Sequence, residues 1–167
     1  MRPPKALADS PLWQFSVTRY ARDGAKPAAL ALQEAGLDVP LALWLCWAVS
    51  EGRDPLPHLE TARDLAARWN RDVVHRLRAA RDVLKHPPGF ADPQQAGVLR
   101  RQILDAELDA EAMLLGALEA LPLARTGGAP DVRSAARGVL EAYARNAGVT
   151  APVRPFIEAI FSDGKKE

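Results

Sequence analysis

The chain has 167 residues, of which 48% are hydrophobic and 26% charged, with 22 Lys plus Arg against 21 Asp plus Glu for a net charge of +1. Such proportions exclude wholesale disorder, and the length suits a single helical domain over 1–167 that hides about 70% of its unfolded surface. A surface this nearly neutral carries no global field to draw phosphate backbones or anionic lipid, so nucleic acid is disfavoured as a partner and no membrane is expected.

The opening "MRPPKALADSPLW" lacks the continuous apolar run of a secretory signal. In "DSPLWQFSVTRYARDG" a helix is expected to start after an Asp9 or Ser10 cap with Pro11 in first position, and to stop at Gly24. A second short helix, "KPAALALQEAG", runs from Pro27 to Gly36. Next comes the most apolar stretch, "DVPLALWLCWAVSEG", with Asp38 as cap, Pro40 tolerated in the first turn and Gly52 at the exit. Its apolar part runs for about eleven residues, about 16 Å as a helix, against about 30 Å for a bilayer core. A helix that is apolar all round and too short to span belongs in the centre of a fold. It carries Cys46, the only cysteine, so no internal disulfide can form and a reducing, cytoplasmic setting is expected.

From Pro57 to His86, Leu59, Ala62, Ala66, Trp69, Val73, Leu77, Ala80 and Leu84 recur at steps of three and four, which predicts one long amphipathic helix. "HPPGFADP" breaks it, and Asp92 with Pro93 starts a second long helix over 93–121. That helix carries two apolar stripes, so the two long helices form an antiparallel hairpin whose facing positions add up to about 180. "ARTGGAPD" is a loop; "DVRSAARGVLEAYARNAG" and "RPFIEAIF" give C-terminal helices over 131–162, and 163–167 form a polar tail. The expected fold class is all-α: an irregular bundle of about seven helices, with a buried central helix and the long antiparallel hairpin as scaffold.

Several spaced residues form a recognisable series: Leu12, Trp13, Phe15 and Tyr20; Leu30, Leu32 and Gln33; Gly36, Asp38 and Val39; Trp47 and Gly52; Trp69, Leu77, Arg78, Arg81 and Lys85; and Glu107 with Glu111 in "ELDAE". Over residues 11–121 this series resembles a proteobacterial family known as domain of unknown function 2390. The chain departs from that family's pattern at Ala29, where Cys is usual, and at Pro40, where Asn is usual. The resemblance implies a small helical protein and carries no activity with it.

Glu107 and Glu111 fall between the two leucine stripes, where a carboxylate must find a partner or suffer desolvation. An ion-pair network with Arg68, Arg71, Arg78 and Arg81 is expected, with Arg68 and Arg71 at the height of the glutamates and Arg78 and Arg81 nearer the turn. Asp105 and Asp109 share a face but read as solvated, since no second acidic motif faces them. His58, His75 and His86 cannot converge on one ion, so neither a metal nor a cofactor is expected. "RTGGAP" lacks the Lys and Ser or Thr of a phosphate loop. No catalytic constellation emerges, so the chain reads as a non-catalytic protein-interaction module with a protein partner. The alternative is an apolar small molecule held between helices by Trp13, Tyr20, Trp44 and Trp47, with Glu107 or Glu111 beside it. An exposed strip at Val139, Tyr143, Phe156 and Ile160 would favour the first; an enclosed tryptophan cavity would favour the second.

Overall fold

The computed structural model describes residues 10–127 and 131–162. Masses of helix alternate with short turns: α1 (Pro11–Tyr20), α2 (Ala25–Glu34), α3 (Val39–Ser50), α4 (Leu59–Trp69), α5 (His75–Val83), α6 (Pro93–Glu119), α7 (Val132–Ala147) and α8 (Val153–Ile160). A π-helical turn, Asn70–Val74, joins α4 to α5 into one rod, which leaves seven helical rods among the described residues. The sequence-predicted all-α bundle is thus the observed one.

Local chemistry sets the boundaries. Ser10 accepts from the Trp13 N–H at 3.0 Å and Pro11 occupies the first turn, so α1 is capped as its sequence requires. The Ser10 hydroxyl also donates to Glu119, whose carboxylate accepts the Leu12 N–H at 3.1 Å; this ties the start of α1 to the end of α6. Helix α1 stops at Tyr20, short of Gly24, because Gly24 (φ 78°) instead opens α2, which begins at Ala25 rather than Pro27. Gly36 (φ 94°) ends α2 as the left-handed residue of a Schellman turn, with the Leu37 N–H reaching back to the Leu32 carbonyl at 3.0 Å.

Helix α3 lies at the centre, with a continuous buried run from Leu41 to Val49. It packs against α7 and α6 foremost, and also meets α1, α2 and α4. No single helix among the described residues is long and apolar enough to cross a membrane; α2 and α3 pass that test only together, bent by 119°. The expected 57–86 helix is observed from Leu59 to Val83, after a 3₁₀ turn at Leu56–His58, and the expected 93–121 helix ends at Glu119. A feature with no sequence signal is a two-residue antiparallel bridge, Arg53 with Arg125 and Asp54 with Ala124, which clips the exit of α3 to the exit of α6 inside the predicted loop.

The C-terminal helices do not leave an apolar strip in solvent. Val139, Leu140 and Tyr143 of α7 and Phe156, Ile157 and Ile160 of α8 are buried in the same cluster as Leu12, Trp44 and Leu118. Three arginines close the far end of α8. Arg19 and Arg22 donate to the Ile160 carbonyl at 3.3 and 3.0 Å, Arg22 also to the Ser162 carbonyl, and Arg133 to the Phe161 carbonyl at 2.7 Å. Those carbonyls have no partner within the helix and lie at its negative end, so guanidinium groups suit them twice over. The Arg19 guanidinium also lies 5.3 Å from the Phe15 ring centre and 5.8 Å from that of Phe161. The expected polar tail, 163–167, lies outside the described residues.

Candidate functional site

The hairpin made by α4, α5 and α6 brings together most of the charged residues singled out in the sequence. Arg81 donates to Glu107 at 2.5 Å and Arg78 to Glu111 at 2.7 Å, while the Arg78 Nε lies 3.8 Å from the second Glu107 oxygen. Glu107 is only 4% exposed, so it sits in the seam between helices with two guanidinium groups in place of water. The hydrogen bond to Glu107 holds the Arg81 pKa above its ordinary value.

Arg68 and Arg71 do not join this network. Arg71 forms an exposed bidentate pair with its neighbour Asp72, at 2.9 and 3.1 Å, and Arg68 borders a furrow on the hairpin's flank. The expected register is corrected by side-chain direction. Helical side chains lean towards their own N-terminus, so in an antiparallel pair long residues meet partners further along each helix than equal height gives, and the arginines that reach the glutamates are Arg78 and Arg81. Trp69 keeps the backbone register, donating from its indole N–H to the Ala110 carbonyl at 2.8 Å.

A second polar knot sits where the hairpin meets the body. Asp38, the cap of α3, accepts from the Leu41 N–H at 2.9 Å and from the Asn70 amide at 2.6 Å, and its own N–H donates to the Tyr143 hydroxyl at 3.0 Å. Asn70 reaches Asp38 from the first residue of the π turn, a kind of irregularity often found at functional sites. Burial raises the Asp38 pKa, opposed by its hydrogen bonds and by Arg78 and His75; burial raises that of Tyr143 as well. Sequence reasoning capped α3 with Asp38 but missed Asn70 and Tyr143, since nothing in a linear pattern joins positions so far apart.

The aromatic residues considered as the lining of a pocket divide between core and surface. Trp13, Trp44 and Trp47 are buried in the core cluster, and Tyr20 stands half in solvent at the end of α1. Their buried surface is filled by Leu12, Leu45, Leu118 and similar side chains, and the indole N–H groups of Trp44 and Trp47 have no hydrogen-bond partner among the described residues. Cys46 is wholly buried in the same helix, and burial pushes its thiol pKa far up, away from the thiolate a nucleophile needs. An open furrow of about 830 Å³ lies between α4 and α6, floored by Leu65, Trp69, Val73, Met113, Leu114 and Ala117. Of these, Met113 is 59% exposed.

Beyond the body the hairpin stands free. Helix α5 has no buried residue and packs chiefly against α6 and the π turn. Near its turn, Val83, Phe90 and Val98 are exposed, Phe90 by 92%. Lys85, His86 and Arg101 lie exposed beside them in sequence. Phe90 was visible in "HPPGFADP", an apolar ring in a turn with no helix face to bury it, but the Pro and Gly punctuation masked that signal.

What the fold defines, then, is a small helical bundle whose hairpin projects two helices past the core, with ion pairs in its seam and apolar side chains at its tip. The chain belongs to the family described as protein of unknown function, DUF2390, whose model matches residues 11–118. That span ends one residue before the close of α6 and takes in both partners of each seam ion pair. No curated protein and no solved structure matches the chain.

Proposed function

We propose that this protein is a cytoplasmic, non-catalytic interaction module that grips a protein partner with the free end of its hairpin. The observation that carries the reading is the triplet Val83, Phe90 and Val98, large apolar side chains exposed at the end of α5, in the turn and near the start of α6. Exposed apolar groups gathered at one rigid projection are a contact surface rather than scattered surface residues. Arg101, exposed one turn along α6 from Val98, favours an acidic group on the partner's rim. The lone, buried Cys46 supports a cytoplasmic setting, since nothing in the fold relies on oxidation.

Photo-crosslinking inside native cells tests the idea. A crosslinking amino acid at position 90 or 98 should capture one protein, and Phe90→Asp should abolish capture from position 98 while leaving the helical signal intact. A probe at Leu30, exposed on α2 in the body, should not capture it. Capture of the same protein from Leu30, or none from 90 and 98, would overturn the assignment.

A further inference from the structure

The furrow between α4 and α6 lies on a flank of the hairpin, apart from its tip. On α4 and the π turn its lining runs from Glu60 to Val73, about 20 Å at 1.5 Å per residue, and Met113, Leu114 and Ala117 of α6 form the other side. Leu65, Trp69 and Val73 are half-buried and Met113 is 59% exposed, so the apolar floor is only partly covered. Both walls are helices, and a groove between two helices accepts the apolar face of a third.

We infer that the furrow binds an amphipathic helix of a protein partner, one that carries lysine or arginine beside its apolar face. Charge selects this occupant. Glu60, Asp64 and Asp72 stand on the furrow's border against a single cation, Arg68. Asp72 is held by Arg71 at 2.9 Å, and Glu60 lies 3.7 Å from Arg63, which itself donates to Asn146 of α7. Asp64 is exposed and has neither a hydrogen bond nor an ion pair among the described residues; Arg68, one turn further on, does not pair with it. Glu60 and Asp64 are themselves one turn apart on the same edge of α4, where like charges repel. A cation on the docking helix relieves that repulsion.

The same border disfavours other occupants. A second copy brings border acids against border acids, and a phosphate backbone or an anionic lipid surface meets carboxylates first. The floor supplies adhesion. Trp69 is held in place by its hydrogen bond to the Ala110 carbonyl and gives a fixed ring to pack against, while Met113 is unbranched and adapts to the side chain laid on it. Apolar contact thus binds the helix, and the acids choose which helix it is.

Two synthetic peptides test the inference, each about fourteen residues long to match the furrow. Both carry leucine at helical spacing on one face; one is flanked by lysine and the other by glutamate. Fluorescence anisotropy of the labelled peptides against the full chain should show the lysine peptide bound about tenfold more tightly. Glu60→Lys combined with Asp64→Lys should reverse that preference, and Met113→Asn should weaken the lysine peptide by about tenfold. These side chains are exposed, so helix content should not change. If the double variant does not fold, Asp64→Asn, which breaks no internal bond, should narrow the preference in the same sense. Phe90→Asp, at the tip, should leave peptide binding unaltered, and capture at position 90 is a separate readout that can fail while the furrow binds. Binding of neither peptide, a lysine preference indifferent to the charge at positions 60 and 64, or loss of binding in Phe90→Asp would overturn the inference.

Discussion

Glu107 shows how one buried charge constrains its surroundings. Its carboxylate lies within 4 Å of both Arg78 and Arg81, and of the two the closer is Arg81, at 2.5 Å. Replacing Arg81 with Ala leaves the glutamate in the seam with one distant guanidinium, and breaking a buried pair from one side costs about 3–5 kcal/mol. We expect Arg81→Ala to lower unfolding free energy by about 3 kcal/mol, whereas the double replacement Arg81→Met with Glu107→Leu should recover most of it; urea denaturation of the three proteins measures both. Asp38 makes a prediction about pH. Its pKa is raised on folding, so as pH climbs from the ordinary carboxylate range to the raised value, the unfolded chain ionises first and the folded state loses stability. Below that window Asp38 is protonated in both states, and above it the loss is constant. Asp38→Asn keeps an oxygen for the Leu41 N–H, so the variant should cap α3 while lacking this slope. Urea midpoints taken across the acid range should show wild type falling relative to the variant as pH rises; parallel curves would refute the assignment.

At the scale of elements, local chemistry was legible where one residue type does one job. Ser10, Asp38, Asp92 and Asp131 each cap the helix that follows, accepting a backbone N–H two or three residues on. Each of those helices could be placed from sequence because a short polar side chain before an apolar-periodic run has few other uses. The hairpin's ion pairs were legible in kind but not in register. Periodicity locates the seam, but partner choice depends on where the side-chain ends lie, and Arg and Glu both lean back along their helices. That lean favours Arg78 and Arg81 over Arg68 and Arg71. The π turn was invisible for a related reason: it inserts one residue without breaking the apolar pattern from Trp69 to Leu77. Its effect is to aim Asn70 at Asp38 and so fasten the hairpin to the cap of α3.

For the whole molecule, the question is whether the segment after α6 is an appendage or part of the body. The loop "ARTGGAPD" invites the first answer, and the family match also stops at residue 118. Packing gives the second: α7 makes more contact with the central α3 than any other element does, and α8 covers α2 and α7. Each contributes five buried residues, among them Leu140, Tyr143, Phe156, Ile157 and Ile160. Burying a large apolar side chain contributes about 1.5–3 kcal/mol, so these five alone supply on the order of 10 kcal/mol. That is comparable to the whole stability of a typical domain, about 5–15 kcal/mol. A chain ending at Thr126 should therefore lose its cooperative urea transition and bind a hydrophobic dye, while Phe156→Ala in the full chain should fold with a loss of about 3–5 kcal/mol. A sharp transition in the shortened chain, with the helical signal of its remaining residues intact, would show that α7 and α8 dock onto a body already complete.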